Sequence, residues 1–184
     1  MLIYLITASV DGYITDREGS FGWTVPDEEL FAFHLERVRE LGGVLCGRRL
    51  YETMLPWETD AGTRQDGPST EFAEVWTALP KVVFSRTLDR VEGRACLAQG
   101  SVAEEIAAMS ASTPKDVEIG GADLAGQAIE RGLVDEIRIF RAPRILGGGT
   151  SLLPAVAQAV PLELVESREF STPVLYERYR RLRH

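Results

Sequence analysis

Histidine and cysteine are scarce in this chain, with two of each in 184 residues. Cys46 sits in an apolar run and Cys96 in a second short, strand-like piece, so a disulfide framework is not expected and a reducing cytoplasm is the natural setting. His34 and His184 stand far apart, and neither C-x-x-C nor H-x-x-x-H spacing occurs, which excludes the ordinary zinc sites. Basic charge is short as well. A formal net charge of −8 argues against a general nucleic-acid binder, which needs a basic face. No apolar run approaches the roughly 20 residues required to cross a bilayer. The apolar start, Met1 to Thr7, has no basic segment before it and reads as a strand, not a signal peptide. Two nucleotide signatures are also missing. Without Gly-x-Gly-x-x-Gly the usual dinucleotide fingerprint is excluded, and without Gly-x-x-x-x-Gly-Lys-Ser/Thr so is a P-loop ATPase or kinase.

What is there is enough for one domain around one core, since 45% of the residues are apolar and no linker, repeat or low-complexity segment divides them. Leu2 to Ser9 is a β-rich run suited to a central strand, and Asp11-Gly12 follows as a turn. Pro26 is expected to open a helix whose apolar residues Leu30, Phe31, Phe33, His34, Leu35, Val38 and Leu41 follow a 3.6-residue period, with Gly42-Gly43 stopping it. Leu55 to Thr70, rich in Pro, Gly, Thr and acids, reads as a surface loop, and Glu71 to Leu79 as a short helix. Strands are expected at Lys81–Ser85, Ala95–Ala98, Asp116–Ile119 and Glu136–Phe140. Between them, Ser101 and Glu104 form a capping box opening a helix to about Met109. Ala122 to Arg131 reads as a helix stopped by Gly132. Leu146-Gly147-Gly148-Gly149 reads as a flexible loop and Leu152 to Val160 as a short helix. Leu162–Phe170 and Val174–Leu182 alternate as an antiparallel hairpin. The pattern defines a single-domain α/β fold: a mostly parallel central sheet flanked by helices, with antiparallel C-terminal strands.

Val44 to Met54 carries the strongest chemical signal. A short buried strand ends in Gly47, and Arg48 and Arg49 follow where a helix begins. Glycine lets a ligand approach the backbone, a helix start offers free N–H groups, and arginines add forked, charge-assisted hydrogen bonds. Ligands on open α/β sheets bind beyond the carboxyl ends of the strands. Ser85-Arg86-Thr87 and Gly120-Gly121 end two further strands, so in a parallel sheet all three ends share one edge. An ordinary strand-to-helix turn with solvated arginines is the alternative.

The constellation resembles the dihydrofolate reductase-like family, and within it the reductase domain of bacterial riboflavin biosynthesis and its stand-alone relatives. The residues that carry the resemblance are Ala8-Ser9-Val10-Asp11-Gly12-Tyr13-Ile14, Gly47-Arg48-Arg49-Leu50-Tyr51-Glu52 and Lys81 to Leu88. Ile119 to Leu124, Gly132 to Ile137 and Pro143 to Gly149 continue the match in order. The resemblance implies an NADPH-dependent reductase, 5-amino-6-(5-phosphoribosylamino)uracil reductase-like, that transfers hydride to a small, flat pterin-like or pyrimidine-like heterocycle. It also implies a homodimer. By that likeness Gly47, Arg48 and Arg49 hold the phosphates, Ser85 and Arg86 lie near the adenosine 2′-phosphate, and Gly120 and Gly121, with Ala122 and Leu124 after them, pass beneath the pyrophosphate. Ala8 would lie by the nicotinamide.

The substrate side is less marked. Asp27, Glu28 and Glu29 crowd the start of the first helix, where dihydrofolate reductases place an acid; pairing with the helix dipole is the alternative role. Asp11 is a further candidate acid, or simply a turn residue. Ala78-Leu79-Pro80 stands where dihydrofolate reductases carry a folate-gripping arginine, which disfavours folate. Trp23 and Trp57 are expected in loops, as an aromatic wall for a flat ring, whereas Phe33 and Trp76 are expected in the core. No metal is expected. A non-catalytic NADP(H)-binding module is the competing reading, since it would need the same strand ends and no substrate pocket.

Overall fold

The apolar run Leu2–Ser9 forms β1 and lies inside an eight-stranded sheet of order β4-β3-β2-β5-β1-β6-β8-β7. The other strands are β2 (Leu41–Gly47), β3 (Lys81–Phe84), β4 (Ala95–Leu97), β5 (Asp116–Gly120), β6 (Glu136–Ala142), β7 (Leu162–Glu169) and β8 (Leu175–Arg181). The first six are parallel, and β8 and β7 add as an antiparallel hairpin. This computed structural model describes residues 1–23 and 26–183.

Among the described residues, six helices flank the sheet: α1 (Glu28–Arg39), α2 (Arg48–Met54), α3 (Pro56–Thr59), α4 (Gly67–Ala78), α5 (Val102–Ser112) and α6 (Ala122–Glu130). α5 and α6 bury Ile106, Met109, Leu124 and Ala128 against Tyr4, Leu45 and Ile119 on one face. α1 and α4 cover the other face in two separate clusters, one around Leu35, Val44, Phe72 and Trp76, the other around Leu30, Phe140, Phe170 and Tyr176. The Ser101–Glu104 capping box opens α5 as its sequence predicts.

Several elements differ from expectation. α1 begins at Glu28, not at Pro26, because the Asp27 side chain accepts from the backbone N–H of Leu30 and caps the helix. Gly42 and Gly43 do not stop that helix; they lie inside β2, where a Cβ would overlap Thr113 and Met109 respectively. The segment expected as a loop from Leu55 to Thr70 holds α3, a 3₁₀ turn at Ala61–Thr63 and the first turn of α4, which Asp66 and Ser69 cap reciprocally. It is anchored by a buried ion pair, Glu58 Oε1 to Lys81 Nζ at 3.0 Å. The expected helix over Leu152–Val160 is absent: this proline-bounded stretch is irregular and is tied to the loop after β1 by Leu152 N–H to the Gly12 carbonyl. Glu136 and Arg138 of β6 are buried. Glu136 is fully buried and accepts from Arg138, Arg178 and Arg180. Burial alone would raise its carboxyl, but the hydrogen bonds from Arg178 and Arg138 outweigh it and hold the group at about 2.

Candidate active site

The parallel arrangement brings the ends of β3, β2 and β5 side by side. Gly47 pairs with Phe84, and Cys46 with Gly120. β2 runs straight into α2 and β5 into α6, so Gly47 and Gly121 are the N-caps of two adjacent helices, and neither helix start has a side-chain cap. Gly121 has φ 96, a conformation that favours glycine, and a Cβ built there would lie 3.7 Å from the Gly47 backbone nitrogen. Gly120 has a different role: a Cβ there would overlap Leu50 of α2, so this glycine serves packing. At Gly47 the backbone angles are ordinary (φ −74, ψ 160) and nothing lies within 4 Å of where a Cβ would stand.

Arginines gather around these ends although the molecule is acidic, with Asp123 in the first turn of α6 beside them. Arg48 and Arg49 are exposed on the first turn of α2, and Arg48 reaches Glu52 at 3.4 Å. Arg86 is exposed just beyond β3. Ser85 Oγ accepts from the backbone N–H groups of Thr87 and Leu88, which shapes that turn. Between α2 and this turn lies a groove of about 650 Å³ lined by Tyr51, Leu55, Leu88 and Arg90 among others. Ala8 and Leu124 are buried.

The acids singled out by sequence separate into committed and uncommitted groups. Asp11 accepts from Ser9 Oγ at 2.6 Å and from the backbone N–H groups of Leu146 and Gly147. The Ser9 hydroxyl, with these N–H groups, holds its carboxyl below the usual range. Asp11 therefore clasps the Gly147-Gly148-Gly149 loop, which is not the flexible loop expected. Gly149 (φ 129) is wedged so tightly that a Cβ would run into the Thr15 carbonyl. Glu29 accepts from Ser171 Oγ and N–H and pairs with Arg168, and these bonds, the Ser171 hydroxyl foremost, lower its carboxyl. It ties α1 to the β7–β8 turn. Glu28 is exposed. Trp23 lies in the loop before α1 and donates to the Ser20 carbonyl, whereas Trp57 is on α3 with its ring 4.7 Å from Phe72. His184 lies outside the described residues.

Two further polar residues, neither given a role in the site by sequence, lie in the sheet and in α1. Glu118 of β5 makes no hydrogen bond or ion pair among the described residues, though the Arg138 charge attracts its carboxyl, and His34 of α1 rests its ring 4.1 Å from that of Phe140. The signal was present: a glutamate inside the apolar run Val117–Ile119, and a histidine inside the apolar period of α1.

A mostly parallel sheet with an antiparallel terminal hairpin, and glycine-started helices at neighbouring strand ends, is the dihydrofolate reductase-like α/β architecture. Within it the chain belongs to the RibD C-terminal domain family, whose model matches residues 1–176. Uncharacterized protein YyaP of Bacillus subtilis (strain 168) is 29% identical over 178 residues, 95% of this chain and 91% of that one. A Shewanella sp. PV-4 protein provisionally ascribed to riboflavin biosynthesis superposes with a TM-score of 0.77 at 26% identity, covering 99% of both chains. Dihydrofolate reductase from Enterococcus faecalis, complexed with NADP(H) and RAB-propyl, superposes with a TM-score of 0.67 over 100% of this chain and 97% of that one. Its identity is 21%, so that likeness concerns the fold alone. Among the described residues no helix is long and apolar enough to cross a membrane.

Proposed function

We propose that this protein is an NADPH-dependent reductase of a small, flat nitrogen heterocycle, pyrimidine-like or pterin-like. The observation that carries the reading is Gly47. Its backbone angles suit any residue and its Cβ position is open, so the protein's own packing does not call for glycine there. A phosphate drawn against the backbone does. Gly121 faces it, and the N–H groups of Ala122 and Leu124 in the first turn of α6 have no carbonyl within the helix to bond. Arg48 and Arg49 add forked bonds to a pyrophosphate, and Ser85 and Arg86 suit the 2′-phosphate that distinguishes NADPH from NADH. Gly120 contributes indirectly, by letting Leu50 seat α2 against β5. Bound with its nicotinamide by the Ala8 end of β1, the cofactor supplies a hydride; the chain's own residues hold the ring in place and limit water. Membership of the RibD C-terminal domain family supports a reductase.

Titration calorimetry with NADPH and NADH, followed by NADPH consumption against a panel of pterins, pyrimidines and quinones, tests the reading. NADPH is expected to bind the more tightly, Arg48→Ala to weaken it by about tenfold, and Arg86→Ala to narrow the preference over NADH. Binding without consumption across the panel would make the protein a non-catalytic NADP(H)-binding module. Unchanged affinity in Arg48→Ala would sink the phosphate assignment.

A further inference from the structure

The aromatic cluster under α1 gives way to a layer of arginines. Tyr176 of β8 and Phe140 of β6 are opposite each other in the sheet, and each ring lies within reach of Phe33 on α1, at 5.0 and 5.9 Å. Two residues along, toward the amino end of β6, Arg138 stands opposite Arg178, and after another two Glu136 stands opposite Arg180. The strand alternation keeps all three rows on one face. Arg37 follows Phe33 by four residues on α1, so it overlies the same strip one turn further on. Its guanidinium carbon lies 5.0 Å from the Phe33 ring centroid.

Two polar atoms at this boundary are buried and have no hydrogen-bond partner: the Tyr176 hydroxyl and Arg37 Nε. Burial raises the Tyr176 phenol above its ordinary range, and Arg138, Glu166, Arg37 and Arg178 are near enough for their charges to act on it. Leaving such atoms unsatisfied is costly, which points to an acceptor between them. The protein has none to spare on the inside. Glu136 accepts from Nε and Nη2 of Arg138, Nε and Nη2 of Arg178 and Nη2 of Arg180, which fills the roughly four lone-pair sites of a carboxylate. Glu40 takes Arg37 Nη2 at 2.9 Å, and Glu166 stands 3.7 Å from Arg178 Nη1; both acids are on the rim, 45% and 39% exposed. A water held by the inner donors would turn its own hydrogens toward a wall already full of them. A small anion carries no hydrogens, and three guanidinium groups attract it. Arg37 and Arg178 keep 25% and 23% of their side-chain surface in solvent, which leaves a way in.

We propose that this layer is a binding site for one monovalent anion of halide size, chloride under ordinary conditions, held by the Tyr176 hydroxyl and Arg37 Nε. The ion joins the second half of α1 to β8. It lies toward the amino end of β6, away from the strand ends of the proposed cofactor site, and the inference is independent of the reductase reading.

Thermal unfolding of the whole protein in sodium chloride and in sodium gluconate at one ionic strength tests it, in the wild type and in Tyr176→Phe, together with crystals of the wild type grown in bromide. The wild type is expected to melt about 4 °C higher in chloride, and this preference to vanish in Tyr176→Phe, which loses only the hydroxyl. Bromide should give an anomalous peak within hydrogen-bonding distance of both atoms. A preference for chloride that survives in Tyr176→Phe overturns the proposal, as does a water without anomalous signal at that position. A bromide peak with no chloride preference in solution is binding at crystal concentration only and overturns it as well. If Tyr176→Phe does not fold, the chloride preference of the wild type and the position of its bromide peak decide the matter.

Discussion

Glu118 and His34 are groups whose charge the fold opposes, and their effects on stability have opposite signs. Glu118 has its pKa raised from 4.5 to about 7, so folding loses stability as pH rises through that interval. His34 has its pKa lowered from 6.5 to about 4; across that window only the unfolded chain takes up the proton, so stability rises with pH. Where the windows overlap, the two slopes oppose each other. Urea midpoints measured across pH should therefore separate them. His34→Phe is expected to lose stability between pH 4.5 and 7, and Glu118→Gln to gain it between pH 4 and 6.5, each by up to about 3 kcal/mol. Profiles parallel to the wild type in both variants would contradict the placement of these charges. At this scale the sequence was a partial guide. Gly47 and Gly120 are alike on paper, yet a Cβ at Gly47 would meet nothing within 4 Å, whereas Gly120 answers to Leu50, a contact visible only once α2 lies against β5.

Among the elements, the Leu55–Asp66 segment depends most on a distant partner. Glu58 on α3 and Lys81 on β3 are 4% and 1% exposed, and Lys81 also donates to the carbonyls of Trp76 and Leu79. Removing one member leaves a buried charge uncompensated. Glu58→Ala is expected to cost about 3–5 kcal/mol in thermal or urea unfolding and to speed hydrogen exchange over α3, whereas Glu58→Leu combined with Lys81→Met should restore most of the loss. A single variant as stable as the wild type would show the pair to be dispensable. Composition suggests a loop here because Pro, Gly, Thr and acids dominate, and the ion pair that orders it joins residues far apart in sequence. The same holds for Gly42-Gly43: as a helix stop they are locally sensible, but Thr113 and Met109 demand them within β2. Elements whose cause is local, such as the Ser101–Glu104 cap of α5 and the alternating β7–β8 hairpin, were legible directly.

For the whole molecule, the sheet ends on one side at β7, an edge strand that exposes Leu164 (55%) and Val165 (37%). An exposed apolar edge is a template for pairing with another chain, and the expected homodimer would use it. Light scattering on the eluting protein should give twice the chain mass, and Leu164→Lys should shift it toward the monomer; a wild-type monomer at micromolar concentration would remove the dimer. What the sequence by itself determined is the alternation of strands and helices, the parallel sheet, and the set of strand ends bearing Gly47, Arg48, Arg86 and Gly121, because period, turn residues and helix starts are local properties. What only the tertiary structure decided is which acids are free. Asp11 and Glu29 are taken up by the Gly147 loop and the Ser171 turn. Glu118 is left half-buried without a hydrogen bond while Glu136, two strands away in the sheet, accepts from Arg138, Arg178 and Arg180, and that depends on how strands distant in the chain lie side by side.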